Sequence, residues 1–112
     1  MKRNTNLFIQ DILNNINDIK SFSKKLTKEE FENDKLRQNA IIRSLEVIGE
    51  AAKNIPDSFR EKYSNIPWKE IAGFRDILSH AYFGVKMDRV WNIIKKDLSV
   101  LKKEIKRIKI EY

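Results

Sequence analysis

Gly73-Phe74-Arg75-Asp76-Ile77-Leu78-Ser79-His80-Ala81-Tyr82-Phe83-Gly84 contains the only histidine of the chain, with an arginine and a tyrosine close by. On a helix, where successive residues advance by about 100°, Phe74, Ile77, Leu78 and Ala81 fall within one arc of roughly 100°. That arc is a core face. With Arg75 as zero, Tyr82 lies about 20° to one side, Ser79 about 40° to the other, Asp76 about 100° and His80 about 140° round. All the polar side chains therefore point away from the apolar arc. Asp76 and His80 stand at i,i+4, so a carboxylate can reach the imidazole, orient it and favour its protonated form. On spacing alone, the simpler reading is a helix with a solvated polar face.

Working outward, Pro67 suits the first position of this helix, where its missing N–H is not needed, and Gly84 is its natural stop. The spacing predicts a helix from about Pro67 to Phe83. Upstream, Ile9, Ile12, Leu13, Ile16, Ile19 and Phe22 recur at three- and four-residue steps, predicting a helix over 6–26. Thr27-Lys28-Glu29-Glu30 fits a capping box opening a short helix. Asp34 can cap the next helix, which runs to about Asn54 and is expected to bury Leu36, Ala40, Ile41, Leu45, Ile48 and Ala52. Within it, Arg43, Glu46, Glu50 and Lys53 form a charged line beside Gly49. A mid-helix glycine costs about 1 kcal/mol relative to alanine, so Gly49 implies a close approach of something to that backbone. Ile55-Pro56-Asp57-Ser58 then starts a single turn through Tyr63.

Downstream, Met87, Val90, Trp91, Ile94, Leu98, Leu101, Ile105 and Ile108 predict a last helix from about Met87 to Ile110. This stripe looks longer than a small domain covers, so its far end is expected to project as a basic arm or to pack on a second copy. With three Gly, two Pro and no strand-like alternation, the fold class is all-α. The expected architecture is an up-and-down bundle of four main helices plus short ones, with residues 1–112 as one domain.

The chain has no cysteine, which excludes disulfides and thiolate metal sites. No apolar run is long enough for a signal peptide or a membrane span, so the sequence reads as cytoplasmic, with no membrane partner. The formal charge is +7, and residues 86–112 carry nine Lys/Arg against four Asp/Glu. A polyanionic partner such as RNA fits that excess, although Lys-rich helices are also ordinary solvated surfaces.

Among reaction chemistries, metal ligation is poorly supported, because one histidine without a clustered set of carboxylates supplies too few ligands. Ser79 and His80 are adjacent on a helix and so diverge by about 100°, which does not suit a serine triad. No glycine-rich phosphate loop is present, and no cofactor is expected. Metal-free phosphodiester chemistry remains. An imidazole can deprotonate a ribose 2′-hydroxyl or protonate a leaving 5′-oxygen, and a guanidinium can neutralise charge on a pentavalent phosphorus. Arg75 and His80 are the candidates, with Glu46, Glu50, Asp76 and Ser79 as supporting, positioning groups. Two proton-transfer groups would require a second histidine, which a symmetric dimer supplies.

These residues also carry a resemblance. Arg75-x4-His80-x-Tyr82 resembles the motif of HepT-like toxins, a branch of the HEPN superfamily of small helical ribonucleases. Arg43-Ser44-Leu45-Glu46-Val47-Ile48-Gly49-Glu50-Ala51-Ala52-Lys53 is similar to the family's second-helix signature. Ile66-Pro67-Trp68, Tyr82-Phe83, Val90-Trp91 and Asp97-Leu98 resemble the approach to the motif and the exit from it. The likeness spans about residues 36 to 101. Lys86 departs from it, since family members often place there an aspartate that can cap the last helix.

The resemblance implies a HEPN-like fold and a homodimer whose motif helices line a shared cleft, with Arg75 and His80 as the ribonuclease residues. It also implies an MNT-type nucleotidyltransferase antitoxin as partner, which transfers adenylyl groups to the motif tyrosine; Tyr82 is the matching position. Two alternatives stay open at this point. One is a non-catalytic helical dimer that binds a nucleotidyltransferase or nucleic acid. The other is a nucleic-acid binder acting through the basic residues 95 to 109.

Overall fold

The computed structural model describes residues 4–80 and 87–110, with side chains described for residues 4–75 and 87–108. Among the described residues all regular structure is helical: α1 (Thr5–Ser23), α2 (Lys28–Glu32), α3 (Lys35–Lys53), α4 (Asp57–Lys62), α5 (Trp68–His80), α6 (Met87–Asn92), a π-helical turn (Ile93–Asp97) and α7 (Leu98–Ile110). None of these helices is long and apolar enough to cross a membrane.

Local chemistry sets the helix ends. The Asn4 side chain accepts from the Asn6 N–H and opens α1. Lys25, at φ 62°, takes the left-handed conformation just after α1. This helix therefore stops short of the 26 expected from its apolar steps. The capping box at Thr27 is present: its hydroxyl accepts from the Glu30 N–H at 3.1 Å, and the Glu30 carboxylate accepts from the Thr27 N–H at 3.0 Å. The bond from the Thr27 N–H, followed by the Thr27 side chain, holds the Glu30 carboxyl below its ordinary range. Asp34 caps α3 by accepting from the Arg37 N–H at 3.0 Å. At the far end of α3, Arg60 donates to the carbonyls of Ala52 and Ile55. The Trp68 indole donates to the Tyr63 carbonyl at 3.0 Å, fixing the entry to α5.

The core stands on α3, which packs against α1 on one side and α5 on the other. α7 and the π turn lie on the outer side of α1. Phe31 of α2 is fully buried and meets Trp91 of α6 with ring centroids 5.4 Å apart, while Lys28 and Asp88 pair at 3.0 Å. The buried residues form one continuous cluster running from Ile9 to Ile108.

Three expectations need correction. Leu36 is 81% exposed rather than core, because it sits in the first turn of α3, at its outer end, and Ala40 is only half-buried. The late apolar stripe is not left over: Leu98, Leu101, Ile105 and Ile108 are all buried within the one chain, because α7 lies along α1. An uncovered stripe therefore gives no reason for a projecting arm or a second copy. The last helix is also not a continuous α-helix. Its π turn, in which the Leu98 N–H donates to the Ile93 carbonyl, lets the adjacent Ile93 and Ile94 both be buried.

Candidate active site

Arg75 is placed by a helix crossing. A Cβ built on Gly49 of α3 would lie 3.0 Å from the Arg75 backbone nitrogen, 3.1 Å from the Arg75 Cβ and 3.3 Å from the Ile71 carbonyl oxygen. The close approach implied by a mid-helix glycine is thus one turn of α5, and the residue resting on Gly49 is the arginine of the motif. Any side chain at 49 would push that turn away. Ile71 and Phe74, buried on either side of this turn, anchor α5 in the core.

The guanidinium of Arg75 remains accessible. Its Nη1 lies 2.7 Å from the Glu50 Oε2, with the two side chains 44% and 51% exposed. Among the described residues its ion-pair partner is Glu50, and a guanidinium has further donors to offer an anion. Asn54 stands one turn beyond Glu50 and donates from Nδ2 to the Glu50 carbonyl at 2.8 Å and towards the Glu50 Oε1 at 3.5 Å. Arg43 pairs with Glu46 at 3.4 Å. Together with Phe8, Asp11, Val47 and Ala51, these residues line a cleft of about 440 Å³.

Of the sequence candidates, Arg75, Glu46 and Glu50 are therefore brought together, with Arg43 beside them and Lys53 outside the lining. His80 is the last residue of α5, and Asp76 and Ser79 lie in the same helix. The side chains of these three residues are outside the described set, as is the whole of Tyr82. Asn54 and the α1 residues Phe8 and Asp11 were not anticipated. Asn54 could have been found from its i,i+4 spacing to Glu50, whereas the α1 residues carry no local signal. A second hollow of about 550 Å³ lies between α5 and the π turn, lined by Glu70, Gly73, Phe74, Arg89, Asn92, Ile93 and Asp97. Among the described residues no three His, Cys, Asp or Glu side chains converge as a metal site.

The family model for HepT-like ribonucleases matches residues 12–108, from the middle of α1 almost to the end of α7. The chain belongs to the HepT-like ribonuclease family. A protein of Methanocaldococcus jannaschii named as a putative RNase is 46% identical over 104 residues, covering 93% of this chain and 95% of that protein. The "Probable ribonuclease HepT" of Thermococcus cleftensis is 42% identical over 109 residues, 97% of this chain and 99% of its own length. A second M. jannaschii protein, named as a gamma-glutamylcyclotransferase and putative RNase, is 45% identical over 96% of this chain but 49% of its own length. In that relative the HepT-like unit is joined to another portion of comparable size. No solved structure gives a significant match. The matched span of this HepT-like chain takes in the Gly49 crossing, the Arg75–Glu50 pair and the whole of α5.

Proposed function

We propose that this chain is a metal-independent endoribonuclease, the toxin of a toxin–antitoxin pair, acting as a homodimer in the cytoplasm. The observation that carries the reading is the Arg75 guanidinium, exposed at the rim of a cleft in Arg75-x4-His80 spacing from the only histidine, within a chain of a ribonuclease family. Arg75 binds the scissile phosphate of RNA and neutralises charge as it grows on phosphorus. His80 takes the proton of the ribose 2′-hydroxyl as that oxygen attacks. The O2′–P bond forms and the P–O5′ bond breaks, giving a 2′,3′-cyclic phosphate and a 5′-hydroxyl. The second copy's protonated histidine gives the leaving 5′-oxygen its proton. Asp76 orients the imidazole, and Ser79 and Glu46 support the site as polar neighbours.

Tyr82 is the switch. An MNT-type nucleotidyltransferase antitoxin joins its phenol oxygen to the α-phosphorus of a nucleoside triphosphate and releases pyrophosphate. If the helical spacing read from the sequence carries on to Tyr82, it stands about 20° from Arg75 and two turns along, and the added phosphates bring negative charge to the guanidinium that binds RNA.

The test is cleavage of RNA by the purified protein with and without a chelator, alongside light scattering. Cleavage should survive the chelator, and His80→Ala should lower the rate by about 10² to 10⁴ while the fold is kept. Cleavage that needs Mg²⁺, or that persists in His80→Ala, overturns the mechanism, and a stable monomer at micromolar concentration overturns the dimer. Co-expression with a neighbouring nucleotidyltransferase should add mass in adenylyl steps that vanish in Tyr82→Phe. An inhibited but unmodified protein would mean that the partner acts by binding alone.

A further inference from the structure

We infer that Glu50 and Asn54 form a positioning relay that holds the Arg75 guanidinium where the RNA phosphate must arrive; this deepens the ribonuclease reading and rests on it. Three observations converge on the same arginine. Its backbone is fixed by the approach of α5 to Gly49, at 3.0 Å from a Cβ built there. Its Nη1 is held 2.7 Å from Oε2 of Glu50, the residue next to that glycine. The other carboxylate oxygen, Oε1, faces the Asn54 amide at 3.5 Å, while the same amide is anchored on the Glu50 carbonyl at 2.8 Å. Asn54 is itself fixed as the C-cap of α3, its backbone N–H donating to carbonyls of the last turn. The chain of contacts thus runs from a helix end, through a carboxylate tethered to its own helix, to one edge of the guanidinium.

A half-exposed ion pair contributes little to stability, so a structural brace is a poor account of this arrangement. It does remove motion from the arginine. A free Arg side chain samples many rotamers, and a phosphate clamp works to the extent that its donors are in place before charge develops. Holding Nη1 engages one edge of an arginine that lines the cleft and has further N–H donors to offer a phosphate. The carboxylate also repels the RNA backbone, which gives the relay a distinctive kinetic mark. Removing Glu50 should release Arg75 and lower kcat without raising KM. A carboxylate that merely competed with RNA for the arginine would do the opposite, its removal lowering KM and leaving kcat unchanged or higher.

The experiment compares the full-length wild type with Glu50→Ala, Glu50→Gln, Asn54→Ala, Arg75→Ala and the double variant Glu50→Ala/Arg75→Ala. RNA cleavage kinetics are measured beside NMR of the arginine side-chain N–H groups. Glu50→Ala should lose about 10- to 100-fold in kcat, the range expected when a clamp is misplaced by about an ångström. Asn54→Ala should lose less. Glu50→Gln, whose amide oxygen still accepts from Nη1, should recover most of the loss, and the double variant should be no slower than Arg75→Ala. In NMR, guanidinium rotation of Arg75 should be slow in the wild type and faster in Glu50→Ala and Asn54→Ala. Wild-type kcat in Glu50→Ala while Arg75→Ala is inactive, losses that multiply in the double variant, or unchanged Arg75 rotation each overturn the relay. An intact NMR hold in a protein whose RNA cleavage ignores Arg75 overturns the ribonuclease reading instead.

Discussion

The two described helical glycines next to the motif, Gly49 and Gly73, have opposite surroundings. At Gly49 an added Cβ would press on the Arg75 backbone at 3.0 Å; at Gly73 it would meet nothing within 4 Å among the described residues. Gly73 borders the hollow between α5 and the π turn, while Gly49 forms the contact between α3 and α5. One side of α5 is thus seated against α3 and carries the arginine, and another meets nothing at Gly73 among the described residues. Both glycines weaken their helices by a comparable amount. Among the described residues, packing accounts for the first alone. A mid-helix glycine therefore marks a close approach at position 49 and none among the described residues at position 73.

The packed side is where stability should reside. Ile71→Ala, which removes a buried side chain one turn before Arg75, should cost about 2–5 kcal/mol and be plain in thermal melting. A loss below about 1 kcal/mol would mean that α5 is not seated on α3 as described. Gly49→Ala gains helix propensity, yet it forces the Arg75 turn outward. The net should be a destabilisation of about 1–3 kcal/mol together with slower RNA cleavage. A variant that is more stable and equally active would break the comparison at its tight end.

Much of this was legible before the structure. The Thr27–Glu30 box and the Asp34 cap are local patterns, in which donor and acceptor lie three residues apart, and both are present. The close approach at Gly49 was also legible, because a glycine in a helix carries a known cost. What touched it was not, since α3 and α5 meet through their fold and no short pattern pairs Gly49 with Arg75. Glu50 and Arg75 were both candidates, but their pairing depends on that same crossing. Leu36 misled because helical periodicity gives a direction around the axis and says nothing of whether a neighbour reaches the first turn of α3. The stripe ending in Ile105 and Ile108 misled in the reverse sense, because no short pattern says that α7 lies along α1, which covers it. The π turn had only the adjacent Ile93 and Ile94 as a sign, and two neighbouring isoleucines also fit an ordinary helix.

At the open end the sign of the effect is the test. Gly73→Ala should stabilise the isolated chain by about 0.5–1 kcal/mol, since the helix gains propensity and the new methyl group meets nothing among the described residues. The measurement is urea unfolding across a range of protein concentrations. Stabilisation that turns into loss as concentration rises would show a second copy packing against Gly73. The two glycines would then be alike after all, one tight within the chain and the other tight between chains.

The smallest effect should come from the Arg75–Glu50 pair itself. A double-mutant cycle on stability with Arg75→Ala and Glu50→Ala should give a coupling of about 0.2–1 kcal/mol, because both groups are roughly half exposed and water screens the pair. Raising the salt concentration should shrink it further. The RNA cleavage rates of the same variants should change far more than their melting temperatures, since the pair directs a guanidinium and the burial of Ile71 and the seat on Gly49 hold the helices together. A coupling above about 2 kcal/mol would reverse that division. It would mean that charge, rather than the absence of a side chain at 49, keeps α5 on α3, and the tight glycine would then be a consequence of the ion pair instead of its foundation.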